Sequence, residues 1–298
     1  PDKATNFYKD VKKTIIKVRF SVIIPTINRV KETRLMLDSL LIQTFTDFEV
    51  LLIDQNNGDL LNKLVLSYSN KLLVKQIKTT IKGASNARNT GVSHAQGEIL
   101  LFPDDDCEFH RDYLEEVNSY FNQTLVDGIV TSTKDKEDGK GISRLMSSRA
   151  QSITKGNLLK TVIEAGIIVK SSKLNTVLFD PNMGVGSPKT PYWSDEGPDF
   201  ILRLLEKGLK FNYCPQFYMY HPNPVKTYNK KTALRSYKYG KGRGYFLKKH
   251  KYGFSHILFY LFIYVIGMCK GVVFFNKQMF TYFRKGFKGR YEGYFLSK

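Results

Sequence analysis

Cysteine is scarce: only Cys107, Cys214 and Cys269 occur in 298 residues, far apart and without a CxxC spacing. This excludes a disulfide framework and a zinc knuckle, and it suits a reducing, cytoplasmic setting. There is one tryptophan, Trp193, and no internal repeat or low-complexity tract. No GxxxxGK[ST] loop is present, so the glycines do not build a P-loop. Pro1 to Tyr8 is polar and lacks the apolar core of a signal peptide, so no secretory leader is expected there. Acidic residues are missing mainly from the last third. Arg203 to Lys298 has 2 acidic against 20 basic residues, a net of +18, whereas Pro1 to Leu202 has 25 against 26. The overall +19 therefore belongs to the tail, which argues against a uniformly basic nucleic-acid coat and for a near-neutral folded domain with a cationic extension.

With 42% hydrophobic and 24% charged residues, the chain is globular in composition. Its first half alternates two kinds of segment. Phe20 to Pro25, Phe48 to Ile53, Leu73 to Lys78 and Glu98 to Phe102 read as strands, the first, second and fourth as near-continuous apolar runs that suit strands covered on both faces. Helical spacing is expected between them, over Lys31 to Gln43, Leu60 to Ser69 and Ser85 to Ala95, and later over Asp199 to Lys207. Strand, helix, strand with short connections predicts an α/β fold with a mostly parallel sheet flanked by helices. Ligands of such sheets sit beyond the carboxyl ends of the strands. That directs attention to Thr26, Asn28 and Arg29 after the first strand, to Asp54 after the second, and to Asp104, Asp105 and Asp106 after the fourth.

Three consecutive carboxylates raise one another's proton affinity unless a cation lies among them. Hard oxygen ligands suit Mg²⁺ or Mn²⁺. In an extended segment Asp104 and Asp106 face one side, so they could share a ligand, while the bland alternative is an acidic cap for a helix starting near His110. The segment Pro181 to Pro198 carries four prolines and reads as a long loop, the kind that tends to be functional. It contains Trp193, Asp195 and Glu196.

Taken together, SVIIPTINR, FEVLLIDQNN, GASNARNTGVSHAQGEILLFPDDD and SDEGPDFILRLLEKG resemble, in order and spacing, the family 2 glycosyltransferases of GT-A (Rossmann-like) fold. The resemblance covers roughly Ser21 to His221, so a catalytic domain is expected over 1–222 and an extension over 223–298. It implies a nucleotide-sugar donor bordered by Thr26, Asn28 and Arg29, with Asp54 at the base and Arg88 near base and diphosphate. The local alternatives are that Asp54 only caps a turn and Arg88 only pairs with a nearby carboxylate. The aspartate run matches the family's DxD-type motif. That match implies Asp106 on a Mn²⁺ or Mg²⁺, with Asp104 and Asp105 on ribose or metal-bound water. An inverting transfer needs one general base. For it the family offers an acidic pair after the long loop; here Glu196 takes that role, with Asp195 as the alternate, because Gly197 stands where many members carry the second acid. Trp193 could stack on a sugar or anchor its loop. His221 could be a third metal ligand, contact the diphosphate, or be structural.

The GKGRGYFLKKHKY and GRYEGY segments resemble the tail of one bacterial subset of that family. Lys226 to Lys251 holds ten basic and no acidic residues, then Ile257 to Cys269 runs thirteen residues without a charge. A spanning helix needs ~20 apolar residues. A membrane-surface or buried helix is therefore expected rather than a span, next to a basic belt suited to anionic lipid or a lipid-linked diphosphate, and not to nucleic acid. The expectation is a peripheral enzyme on the cytoplasmic face of the membrane. It would transfer a sugar to a glycan or lipid-linked acceptor of a bacterial surface polysaccharide. The rival reading is a catalytically silent glycan- or membrane-binding protein of the same fold.

Overall fold

The computed structural model describes residues 18–141, 145–188, 191–223 and 225–297, so the polar stretch Pro1 to Tyr8 lies outside the described residues. Strands and helices alternate as expected at first: β1 (Phe20–Thr26), α1 (Val30–Leu41), β2 (Phe48–Asp54), α2 (Asn62–Tyr68), β3 (Val74–Lys78), α3 (Ala84–His94) and β4 (Ile99–Leu101). The pattern then loosens into β5 (Glu108–Phe109), α4 (Tyr113–Gln123), β6 (Gly128–Lys134), β7 (Gln151–Ser152), β8 (Ile167–Lys170), α5 (Glu196–Glu206) and β9 (Phe211–Tyr220). The last third forms α6 (Lys230–Lys249), α7 (Phe254–Val273) and α8 (Lys277–Tyr291).

All nine strands join one sheet in the order β3-β2-β1-β4-β8-β6-β9-β5, with β7 also on β9. The half built from alternating elements is parallel throughout. Beyond it β8 runs antiparallel to both β4 and β6, so the whole sheet is mixed. Alternate strand residues feed two separate cores, which is why the strands read as continuous apolar runs. Ile23, Leu51 and Ile53 join Ala87 of α3 and Phe200 of α5 on one face; Val22, Ile24, Val50 and Leu52 join Met36 and Leu37 of α1 on the other.

Two boundaries differ from the sequence reading for backbone reasons. Pro25 does not end β1, which continues to Thr26. Strand β4 pairs only with Phe20, Ser21 and Val22, so from Ile23 onward one edge of β1 is open and a residue without an N–H fits there. Helix α5 begins at Glu196 rather than Asp199, which puts Pro198 in its first turn, where an N–H would have no intrahelical partner.

The tail helices pack through glycine. Helices α6 and α8 run in the same direction, and a Cβ on Gly289 would lie 2.1 Å from the carbonyl oxygen of Tyr237, so the backbones touch where any side chain would separate them. Helix α6 is fastened to the sheet domain. Lys249 pairs with Asp180 and Asp199, both at 2.6 Å, His250 reaches Asp199 at 2.8 Å, and Tyr245 stacks on Tyr192 at 4.1 Å between ring centres. Part of the tail's positive charge is therefore neutralised inside the fold. Helix α7 is 20 residues long because Phe254 to His256 and Lys270 to Val273 extend the uncharged run; by length and composition it could cross a membrane, and 22% of its most apolar window is buried. It presents Leu258, Phe259, Phe262 and Ile266 outward, and the α7–α8 turn exposes Phe274 and Phe275.

Candidate active site

The carboxyl ends of β1, β2 and β4 bring Thr26, Asp54 and the aspartate run to one edge. Strand β5 pairs with the end of β9, Glu108 opposite Tyr220, and this ladder carries His221 back to Asp106. The His221 Nε2 lies 3.4 Å from Asp106 Oδ1 and 3.8 Å from Asp104 Oδ2. A cleft of about 290 Å³ opens beside Asp106 and His221, with Asp135, Lys136 and Tyr220 in its wall.

Two guanidinium groups hold the three aspartates. Arg29 donates from Nη1 to Asp105 Oδ1 at 2.9 Å and to Asp106 Oδ2 at 2.6 Å. Arg88, wholly buried in the second turn of α3, donates from Nη2 to Asp104 Oδ1 at 2.8 Å and from Nη1 to Glu196 Oε1 at 3.1 Å. It therefore joins the aspartate run to the first residue of α5. The long loop wraps this junction: Ser85 Oγ donates to the Met183 carbonyl at 2.7 Å, and the Ala84 N–H donates to Val185 at 2.9 Å.

Burial pushes the Asp105 carboxyl up to about 6 in spite of Arg29 and a hydrogen bond from Thr26. Burial also raises Glu196, opposed by Arg88. Cys107 lies within reach of the Asp106 and His221 ligand atoms, but burial and the neighbouring aspartates push its thiol well above the usual range, so it stays a neutral, soft group unsuited to a hard cation. Asp106 Oδ1 is buried without a hydrogen-bond donor, next to His221. An orphaned carboxylate oxygen with a second carboxylate and an imidazole nearby fits a divalent cation.

The other residues singled out from sequence fall as follows. Asp54 is fully buried and its oxygens accept from the Asn56 N–H at 2.8 Å, Asn56 Nδ2 at 2.7 Å and Gln76 Nε2 at 2.7 Å, so it does organise the turn after β2. Asn28, in the left-handed region at φ 57°, donates its N–H to Asn56 Oδ1 at 2.6 Å, which ties the first two strand ends together. Trp193 has the Lys238 ammonium of α6 3.4 Å from its ring centre, an anchor for its loop. Asp195 points away from Glu196's partner. Its carboxylate takes Arg243 Nε at 3.0 and 2.9 Å and Nη2 at 2.7 Å, and Ser194 Oγ at 2.9 Å. Asp199 and Arg203 pair along α5 at 2.7 Å, as their spacing suggested.

The chain matches the family model "Glycosyl transferase family 2" over residues 21–179. It belongs to glycosyl transferase family 2. Among curated relatives, the poly(ribitol-phosphate) beta-N-acetylglucosaminyltransferase TarS of Staphylococcus aureus is 32% identical over 133 residues, which is 43% of this chain and 23% of that protein. The glycosyltransferase AglE of Haloferax volcanii is 33% identical over 153 residues, 48% of this chain and 50% of that protein. The chain thus spans half or less of the length of these relatives. Solved structures agree in fold. The mannosyltransferase PcManGT of Pyrobaculum calidifontis, in complex with GDP-Man and Mn²⁺, superposes with a TM-score of 0.64 at 15% identity, over 95% of this chain and 88% of that one. S. aureus TarS 1–349 in complex with UDP-GlcNAc gives 0.58 at 18% identity, over 92% and 91%. The fold is that of the GT-A glycosyltransferases.

Sequence reasoning missed one acid. Glu164, in a short 3-10 turn (Glu164–Gly166) before β8, is half-buried against the start of α5. Burial, then the charges of Glu196 and Asp195, push its carboxyl up to about 8. The signal available was an acid set between Val162-Ile163 and Ala165-Gly166-Ile167, an apolar context that predicts a buried carboxyl.

Proposed function

We propose that this enzyme is an inverting, metal-dependent glycosyltransferase. It moves one sugar from a nucleotide donor to a glycan or lipid-linked acceptor in the assembly of a bacterial surface polysaccharide. The observation that carries this reading is Arg88, whose two terminal nitrogens hold Asp104 on one side and Glu196 on the other, so a diphosphate site and a basic carboxylate share one rigid link.

Glu196 takes the proton of the acceptor hydroxyl; Asp195, saturated by Arg243, is not available for it. The acceptor oxygen bonds to the anomeric carbon from the face opposite the diphosphate, and the bond from that carbon to the diphosphate oxygen breaks with its electron pair. Asp106, Asp104 and His221 would hold Mn²⁺ or Mg²⁺, which when bound neutralises charge on the leaving diphosphate. Arg29 and Arg88 orient the aspartates for that task, and Asn28 borders the nucleoside, with Thr26 and Asp54 buried at the neighbouring strand ends. Relatives named poly(ribitol-phosphate) beta-N-acetylglucosaminyltransferases support the acceptor class.

The enzyme acts at the cytoplasmic face of the membrane as a peripheral protein, on the support of the outward phenylalanines of α7 and of the exposed Lys270, Lys277, Arg284 and Lys285 around them. A thermal-shift panel of nucleotide sugars with Mn²⁺ selects the donor. Donor hydrolysis or transfer is then measured in Asp106→Ala and Glu196→Gln. A loss of at least a hundredfold in each is expected; wild-type rates in both would refute the mechanism.

A further inference from the structure

The resemblance to the family leads one to expect two adjacent acids at the start of α5, but the second position is Gly197. The packing explains the glycine. A Cβ on Gly197 would lie 2.9 Å from Glu164 Cγ, 3.0 Å from Ile167 Cδ1 and 3.2 Å from Glu164 Cα. The side chain of Glu164 thus lies across the Gly197 backbone, one residue from Glu196. A carboxyl reaches this spot from the turn before β8 because the helix supplies no side chain there. Arg88 pairs with Glu196 and Arg243 pairs with Asp195, yet among the described residues no cation pairs with Glu164.

We propose that Glu164 is the second carboxyl of this site, seated in the space that Gly197 leaves open, and that it acts through Glu196 as a positioning residue by keeping a proton beside it. The inference rests on the reading of Glu196 as the group that takes the acceptor's proton. The groups facing Glu164 are Glu196 and Asp195 from the start of α5, Arg88 from α3, and Arg243 and Tyr239 from α6. Both arginines already hold the other two carboxylates, so the unpaired Glu164 is the member that stays protonated near neutral pH. A neutral acid next to Glu196 leaves that carboxylate ionised and ready, whereas a second anion there would raise its proton affinity.

Three variants test this, assayed for donor turnover with UDP-GlcNAc or GDP-mannose, whichever the Mn²⁺ panel selects. Glu164→Ala is expected to lower kcat at least tenfold with the donor KM within threefold. Glu164→Gln, a neutral isostere, should keep kcat within threefold at pH 7 and lack the titration near pH 8 expected in the kcat of wild type. Glu164→Ala combined with Gly197→Asp should recover at least fivefold over Glu164→Ala alone, since the nearest obstacle to the new side chain, Glu164 Cγ, has been removed. A wild-type kcat in Glu164→Ala, a persistent titration near pH 8 in Glu164→Gln, or no recovery in a folded double variant would overturn the proposal. The underlying reading fails separately, through an active Glu196→Gln; an inactive Glu196→Gln beside a fully active Glu164→Ala removes only the role of Glu164.

Discussion

Arg243→Met isolates the contribution of the tail to the turn that precedes Glu196. In the native fold the Arg243 guanidinium makes three short contacts with Asp195, of 3.0, 2.9 and 2.7 Å, and lies 4.8 Å from the centre of the Tyr260 ring. The Asp195 side chain is 3% exposed and that of Arg243 21%. Methionine keeps most of the aliphatic volume but, among the described residues, leaves the Asp195 carboxylate with only the Ser194 hydroxyl. Breaking one partner out of a buried pair costs roughly 3–5 kcal/mol, and the partial exposure of Arg243 places this case near the lower end, about 3 kcal/mol. For a domain of this size that lowers the melting temperature by about 6–12 °C. Adding Asp195→Asn removes the stranded charge and should restore at least half of the loss, a coupling that urea unfolding of the single and double variants measures directly. Asp195 precedes Glu196 in a left-handed conformation, φ 64°, so kcat should fall as well. A single variant destabilised by less than about 1 kcal/mol, on the scale of an exposed pair, would refute the clamp.

Asp199 gives a pH-dependent stability. Burial alone would raise its carboxyl, but the His250 hydrogen bond and the charges of Arg203 and Lys249 win and hold it at about 2 against an ordinary 3.8. A depressed acid contributes stability above its unfolded pKa and loses it as pH falls, here between about 4 and 2, and the shift corresponds to about 2 kcal/mol. Urea midpoints of Asp199→Asn and wild type should therefore differ at pH 7 and converge near pH 2; a gap independent of pH would sink this assignment. For the membrane face, Phe262→Ser with Phe275→Ser should reduce flotation with phosphatidylglycerol vesicles at least fivefold while the melting temperature changes little. Unchanged flotation would remove α7 from the membrane role.

The candidate edge was legible because buried parallel strands write themselves as apolar runs and end in polar residues. Thr26, Asp54 and the aspartates could be placed at the sheet edge from that pattern alone, and the match to the family supplied Arg88, Glu196 and His221. What the sequence hid depends on contacts between distant segments. The role of Arg243 and Lys249 could not be separated from a run of basic residues, because only the fold shows that they face Asp195 and Asp199. Glu164 carries no motif, and its hints were an apolar flank and Gly197, an absence whose cause lies in another element. The start of α5 was masked by Gly197 and Pro198, residues that disfavour a helix interior yet are compatible with a first turn.

The pairing of α6 with Asp195 also has a consequence for the order in which the protein is made. Domains fold as units during synthesis, N-terminal segments first. Strands β1 to β4 can pair as soon as they emerge, but the turn that presents Glu196 lacks its counter-charge until Arg243 has been added to the chain. On the proposed reading, the nascent chain is expected to pass through a stage in which these strands are present and Asp195 is still unpaired. A chain cut short before α6 would keep the strands of the sheet and leave Asp195 without the guanidinium that faces it, so it is expected to lack the proposed activity.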